Sequence, residues 1–445
     1  MFVDRDPEPV ARQSPPAALR ITAQRLMVPA QAVPLLYLGT AHVALALACL
    51  LAALWPRAVA GFFYHAWMVG LVHLVTLGWI TFSILGAIYI VGPAALQMPL
   101  PARRADYVAY GLSVIGLSGM VSHFWIQKFD GMAWSAATVA IGVFFVVGRL
   151  AHEIRAAGVP APVKLHITFA CVNFAIAAST GLLLGFDKTY HFLPGYVLSN
   201  VYAHAHLAAV GWATMMVVGV GYRMLPMALP SRMPAGRSTF MSAVLLEAGV
   251  LGLFVSLLTG SAWTLLFGAC IVAGLAAFAG HVIWMVRSPA PRPPAAPRID
   301  FGVLHAAGAG ISLLAAVAIG VTLLVLPTSA RTLPLAAAYG VFGLLGFLSQ
   351  MVVAMEARLL PLASWYWAYA GSDFKTPPPS PLTMRDRTLQ AIVYAGWTIG
   401  VPSLAAGLYL ESASLVAAGA WALFAAVTIG TIDNVSILIR ATVSE

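Results

Sequence analysis

Charge is the first thing this chain has little of. Only 9% of its 445 residues are Asp, Glu, Lys or Arg, 61% are hydrophobic, and the mean hydropathy is +0.89. Soluble domains carry about 25% charged residues, so a soluble globular protein with a large core is excluded. Cysteine is scarcer still. Cys49, Cys171 and Cys270 all fall inside apolar runs and form no CxxC, which excludes a disulfide framework and leaves them as small buried hydrophobes. Residues 1–27 hold prolines, arginines and acids but no apolar stretch. They read as a short cytoplasmic tail and not as a cleavable signal peptide. No GxGxxG, Walker loop, zincin motif or Ser-His-Asp arrangement occurs, so nucleotide binding and hydrolysis have no motif to rest on.

What is present in abundance is long apolar sequence. Segments of about 20 residues, enough to cross a hydrocarbon layer of roughly 30 Å, recur near 32–54, 62–92, 107–127, 133–150, 165–186, 198–224, 240–260, 263–286, 301–326, 332–356, 388–409 and 413–438. They are too long and continuous for barrel strands. The expected fold is an all-α polytopic membrane protein with twelve transmembrane helices, a single transmembrane domain over 28–445. With the N-terminus in the cytoplasm, 20 of the 24 Lys and Arg residues fall on that side. Arg57, Lys128, Lys188 and Arg331 are the four on the other. That bias places both termini in the cytoplasm and accounts for the +9 formal charge through anionic lipid head groups, with no nucleic acid partner. The longest loop is expected over 357–387, and no segment is large enough for a soluble catalytic domain. Any chemistry belongs among the helices.

The chain repeats itself. HLVTLGWITFSILGAIYIVGP, His73 to Pro93, aligns without a gap on HLAAVGWATMMVVGVGYRMLP, His206 to Pro226, with 8 of 21 positions identical. The identities include His73/His206, Gly78/Gly211, Trp79/Trp212, Tyr89/Tyr222 and Pro93/Pro226. VFGLLGFLSQMVVAMEARLLP, Val341 to Pro361, continues the frame more weakly: Gly346 and Pro361 hold their places, Arg358 matches Arg223, and Val341 stands where the histidine was. The first, fifth and ninth spans carry His42, His166 and His305, each the sole histidine of its span. Three pseudo-symmetric four-helix units follow, near 28–156, 160–290 and 300–445, running parallel about an axis along the membrane normal. Close packing explains the repeated glycines but not the histidines.

An ionisable residue inside a membrane is a candidate functional residue. His73 and His206 are expected in the outer half of the bilayer, where they can ligate haem iron, ligate copper, pass protons, or act as hydrogen-bonded structural residues. His204 and His206 lie about 200° apart around one helix and point to nearly opposite faces. His65 and His73 are about 80° and about 12 Å apart, suited to one elongated cofactor or path and not to one metal ion. Copper would need two or three imidazoles from neighbouring helices. Candidate cofactor ligands are therefore His73, His206, His42 and His204, and candidate metal ligands are His73, His206, His204 and His65. Glu247, His166 and His305 are further buried polar positions, and Asn173, Gln350 and Asp433 are candidates for interhelical hydrogen bonds. There is no CxxCH, so any haem is held non-covalently.

Twelve helices in three groups of four, with the H-x4-G-W…G-x2-Y-x3-P pattern at His73–Pro93, resemble the catalytic subunit I of haem-copper oxidases, a superfamily that includes nitric oxide reductases. HAHLAAVGW…MLP, His204–Pro226, resembles divergent bacterial members and the NnrS-like group associated with nitric oxide metabolism. The resemblance implies a bacterial inner membrane, haem b with His73 as axial ligand, copper as a second metal, and a role in electron transport or in handling NO or O2. It also implies a redox partner or an additional membrane subunit. The sequence departs from that pattern in the tenth and seventh spans, which carry no histidine, and it has no HH pair. A standard haem-copper binuclear centre is therefore not expected. The alternatives are a cofactor-free structural or assembly subunit of a membrane oxidoreductase, or a transporter of metal ions or small solutes.

Overall fold

The computed structural model describes residues 27–293, 296–327 and 329–443; most of the expected N-terminal tail lies outside these described residues. Twelve helices are long and apolar enough to cross a membrane, and the described residues form no strand, only an isolated bridge between Ser231 and Pro289. The protein is an all-α, multi-pass membrane protein. We number the spans α1 (Ala32–Leu54), α2 (Ala66–Ala95), α3 (Arg104–Trp125), α4 (Phe129–Glu153), α5 (Ala161–Tyr190) and α6 (Val197–Ala228). The second half comprises α7 (Ser238–Thr259), α8 (Thr264–Arg287), α9 (Phe301–Val325), α10 (Thr332–Gly371), α11 (Arg387–Tyr409) and α12 (Ala413–Val443).

Eleven of the expected spans agree with these bounds to within five residues at each end. The largest difference is α10, which continues from the expected end at 356 to Gly371, so the expected loop over 357–387 shortens to 372–386. Pro361 sits inside the helix; membrane helices tolerate proline where neighbouring groups satisfy the freed carbonyl. Beyond it two indoles anchor the extension, Trp365 Nε1 donating to the Pro378 carbonyl (3.1 Å) and Trp367 Nε1 to the Pro29 carbonyl (2.9 Å), as interfacial tryptophans do. At the start of α2, four residues after the expected one, Ala66 follows His65 as the N-cap.

Contacts follow the period of four. In each unit the third and fourth helices form a tight hairpin (α3–α4, α7–α8, α11–α12), and the first helix packs along the second. The fourth helix then meets the first of the next unit: α4 with α5, α8 with α9, and α12 back onto α1. Helices α2, α6 and α10 touch one another at the centre, and α2 is the most enclosed, with 78% of its most apolar window buried. The ring is uneven. The α8–α9 junction is sparse beside the other two, and only 17% of either helix's apolar window is buried.

The central helices share a feature that periodicity does not announce. Each changes from α- to π-helix at the same place in the repeat: Leu74–Thr81 in α2, Leu207–Thr214 in α6 and Val341–Ser349 in α10. A π-segment widens the turn and leaves carbonyls without their usual partner. Hydroxyls at one repeat position meet that need. Thr214 Oγ1 donates to the Ala209 carbonyl (2.8 Å) and Ser349 Oγ to the Leu344 carbonyl (2.7 Å). The third, Thr81, accepts from Trp212 Nε1 at 3.2 Å and so ties α6 to α2. Close approach at the same level requires glycine. A Cβ on Gly78, Gly211 or Gly346 would stand 2.6, 2.9 or 2.6 Å from Ala44, Asn173 or Ser312 of the preceding helix.

Candidate functional site

These three close approaches supply a common ruler for the first helix of every unit. Ala44, Asn173 and Ser312 occupy one repeat position. Seven residues before them stand Tyr37, His166 and His305. His166 and His305 are thus equivalent, and His42 is not; its place in the frame belongs to Tyr37. Eight residues after them come Ala52, Gly181 and Gly320. Two positions before the histidine frame stand Leu71, His204 and Tyr339, and the latter two lie against Gly181 and Gly320. A Cβ on Gly181 would meet the His204 ring at 2.7 Å, and one on Gly320 the Tyr339 ring at 3.2 Å.

A cavity of about 890 Å³ opens between the central helices and the outer ones on the arginine-poor side. Cofactor cavities run from roughly 300 to 1,000 Å³ and are mainly apolar with a few placed polar groups. This one fits that description. Its walls are Leu, Val, Ala, Met and Phe, and into it face His73, His204, His206 and Tyr339. Lys188 and Tyr64 stand at its margin, joined by a 3.0 Å hydrogen bond. The ammonium also lies 4.8 Å from the Tyr64 ring and 5.4 Å from the Phe129 ring. Among the described residues no carboxylate is within ion-pair distance of Lys188.

Hydrogen bonds decide which ring nitrogens face the cavity. His73 Nδ1 lies 2.8 Å from the Val69 carbonyl, His206 Nδ1 2.7 Å from the Tyr202 carbonyl, and His204 Nδ1 3.0 Å from the Ala177 carbonyl. A carbonyl only accepts, so Nδ1 carries the proton in all three neutral rings and Nε2 is left with its lone pair. The Nε2 atoms then differ. That of His206 accepts from the Tyr339 hydroxyl at 3.2 Å, with the two rings stacked. Those of His73 and His204 have no hydrogen-bond partner among the described residues, and both residues line the same cavity. Phe124 stacks on His73 at 5.5 Å and holds its ring plane.

The remaining candidates lie elsewhere. His65 is spent on the backbone, Nε2 on the Ala58 carbonyl (3.1 Å) and Nδ1 accepting from Met68 N (3.4 Å). His166 bridges the Pro162 carbonyl (2.7 Å) and the Ser242 hydroxyl (3.0 Å). His305 lies 3.3 Å from Gln350 Nε2. Glu247 accepts from Asn173 Nδ2 at 2.7 Å, and the same amide reaches the Gly211 carbonyl inside the π-segment at 3.2 Å. His42 lines a separate small pocket with Glu356 and Arg385. Sequence reasoning passed over Tyr339, Glu356, Arg385 and Asn434. The clue to Tyr339 was available, because it sits in the repeat where His204 does. Among the described residues no three His, Cys, Asp or Glu side chains converge as a metal cluster.

No family model matches the chain, and no curated protein matches it in sequence.

Proposed function

We propose that the cavity holds a haem b whose iron is bound by His73 of α2 and His204 of α6, and that the protein is a membrane electron carrier of the oxidase-like kind. The observation that carries this reading is the pair of deprotonated Nε2 atoms turned into one apolar cavity. Two lone pairs that share a space in low dielectric, with no hydrogen-bond partner among the described residues, call for an electrophile. Ligating imidazoles typically donate their other N–H to a carbonyl, as both of these do. Apolar walls suit the macrocycle. Lys188 at the margin, with no carboxylate of its own, suits a propionate. Bound there, haem would supply a one-electron change at iron. The protein's part is to fix both rings through Val69, Ala177 and Phe124 and to keep the site dry. Two imidazoles given to one iron would favour electron transfer over capture of NO or O2, which needs a free coordination position.

His206 is the weaker ligand in this arrangement because Tyr339 occupies its Nε2, and His42 does not line the cavity. Copper is the second reading, since two imidazoles alone suffice for a low-coordinate site. The Lys and Arg asymmetry supports cytoplasmic termini, and the repeated pattern supports a bacterial inner-membrane relative of oxidase subunit I. The test is the visible spectrum and metal content of the purified full-length protein, with His73→Ala and His204→Ala beside it. Haem bands lost in both variants support the reading. Stoichiometric copper without haem selects the second reading, and a protein free of both overturns the two together.

A further inference from the structure

At the arginine-rich end α1, α10 and α12 enclose a group of polar side chains to which no role has been given above. Arg385, from the 372–386 loop, folds inward and is only 11% exposed. Its guanidinium donates to Asp433 Oδ2 (2.6 Å), Asn434 Oδ1 (2.8 Å) and the carbonyls of Glu356 (2.8 Å) and Ala357 (3.1 Å). Because Asn434 Oδ1 accepts, its amide nitrogen is the end turned inward. That nitrogen lies 3.0 Å from His42 Nε2 and 3.3 Å from Glu356 Oε2. His42 Nε2 and Glu356 Oε2 are themselves 3.1 Å apart. The other atom of each group, His42 Nδ1 and Glu356 Oε1, is buried without a hydrogen-bond partner among the described residues. Beside them is a pocket of about 50 Å³, room for one or two waters at about 30 Å³ each.

Charge counting shows what the group lacks. Arg385 and Asp433 cancel. So do Arg358 and Asp300, which are paired at the same end. Asp386 caps α11 by accepting from Thr388 N and Leu389 N. His305 also lines the pocket, against Tyr394, and Trp79 of α2 covers His42 with no charge of its own. An ionised Glu356 beside a neutral His42 would leave one uncompensated negative charge in the interior, which is costly. One proton removes it, and the short Oε2–Nε2 contact needs a proton to become a hydrogen bond.

We propose that His42 and Glu356 form a buried one-proton site, filled and emptied through water in the adjoining pocket from the arginine-rich face. With Nε2 accepting from Asn434, neutral His42 already carries its proton on Nδ1, so the added proton enters on Glu356, whose Oε1 has no hydrogen-bond partner among the described residues. The pair then shares it between Nε2 and Oε2, and its charge goes from minus one to zero. Asn434, fixed by Arg385, holds both acceptors in register. The proposal stands apart from the cavity and does not depend on any cofactor there.

Infrared difference spectra of the full chain in lipid vesicles, taken between high and low pH in H2O and D2O, test it. The expected result is a protonated-carboxyl band that appears on acidification, moves on deuteration and on 13C labelling of glutamate, and is lost in Glu356→Gln but kept in Glu247→Gln. No such band, or a band lost only in Glu247→Gln, overturns the proposal. Should Glu356→Gln fail to fold, His42→Gln decides: the labelled band must shift its midpoint by about tenfold in proton concentration, and an unmoved midpoint overturns it.

Discussion

Two contacts between neighbouring units occupy the same place in the repeat and end differently. Tyr339 of the third unit lies on Gly320 and gives its hydroxyl to His206 of the second. His204 of the second unit lies on Gly181 and shares the cavity with His73 of the first without donating to it. The third such place holds Leu71 and Val341, two aliphatic side chains with nothing to offer or accept. One scaffold thus carries a satisfied pair, an unsatisfied pair and an inert pair. The difference lies in two side chains and in where their protons sit, since the backbone, the π-segments and the small residues beneath are shared. On the proposed haem reading, the place left chemically incomplete is the one that takes the cofactor.

The sharpest way to break that comparison is to exchange its terms. Replacing His204 with Tyr should give His73 the hydroxyl partner that His206 already has, and haem content should fall to background while the protein remains inserted. Adding Tyr339→His to that variant should restore binding that now depends on His206 and no longer on His73. Absorption spectra of the double variant, with and without His206→Ala, read the outcome. Binding that still follows His73 would show that the repeat positions are not interchangeable.

The next effect in size falls on stability. Asp433→Ala leaves the Arg385 guanidinium buried without its carboxylate and should cost about 3 kcal/mol, seen as earlier thermal aggregation in detergent. Haem content per folded protein should be unchanged, because the polar group is separate from the cavity. Asn173→Leu should cost about 1–2 kcal/mol by stranding the Gly211 carbonyl and Glu247, and its effect should be felt through α6 because the π-segment loses a support. Tyr339→Phe removes one hydrogen bond worth about 1 kcal/mol and should leave the His73-dependent spectrum in place. The smallest effect is expected at His281, which hydrogen-bonds Tyr222 at 2.8 Å and Ser238 at 3.2 Å and lies outside the cavity. His281→Ala should not alter the spectrum at all.

Much of this architecture was legible before any coordinates. Twelve spans follow from apolar length alone, since each must satisfy its own backbone, and the three-unit organisation follows from the shared His, Gly, Trp, Tyr and Pro positions. The π-segments were not legible as such. A helix that gains one residue keeps its apolar composition, and only the conjunction of Gly78, Gly211 and Gly346 with Thr81, Thr214 and Ser349 marks the place. The extension of α10 was hidden by Pro361, which reads as a stop in sequence but is accommodated inside the bundle. His42 illustrates a different limit. As the one histidine of α1 it looked equivalent to His166 and His305, yet it stands five residues away from the shared position and faces Glu356. Glu356 and Arg385 were hidden because they come from a supposed span end and a supposed loop, and only folding brings them to α12.

The widened turns in α2, α6 and α10 also carry information about descent. An added residue at one place in one helix is an ordinary event. Three additions at the same place, each with its glycine before and its hydroxyl at the end, would be three coincident events had they arisen in the finished chain. A single insertion in an ancestral four-helix unit, copied twice afterwards, accounts for all of them. On that history the irregularity, like the histidine shared by His73 and His206, is older than the molecule's length, and His204, Tyr339 and Glu356 are later specialisations of copies that began alike.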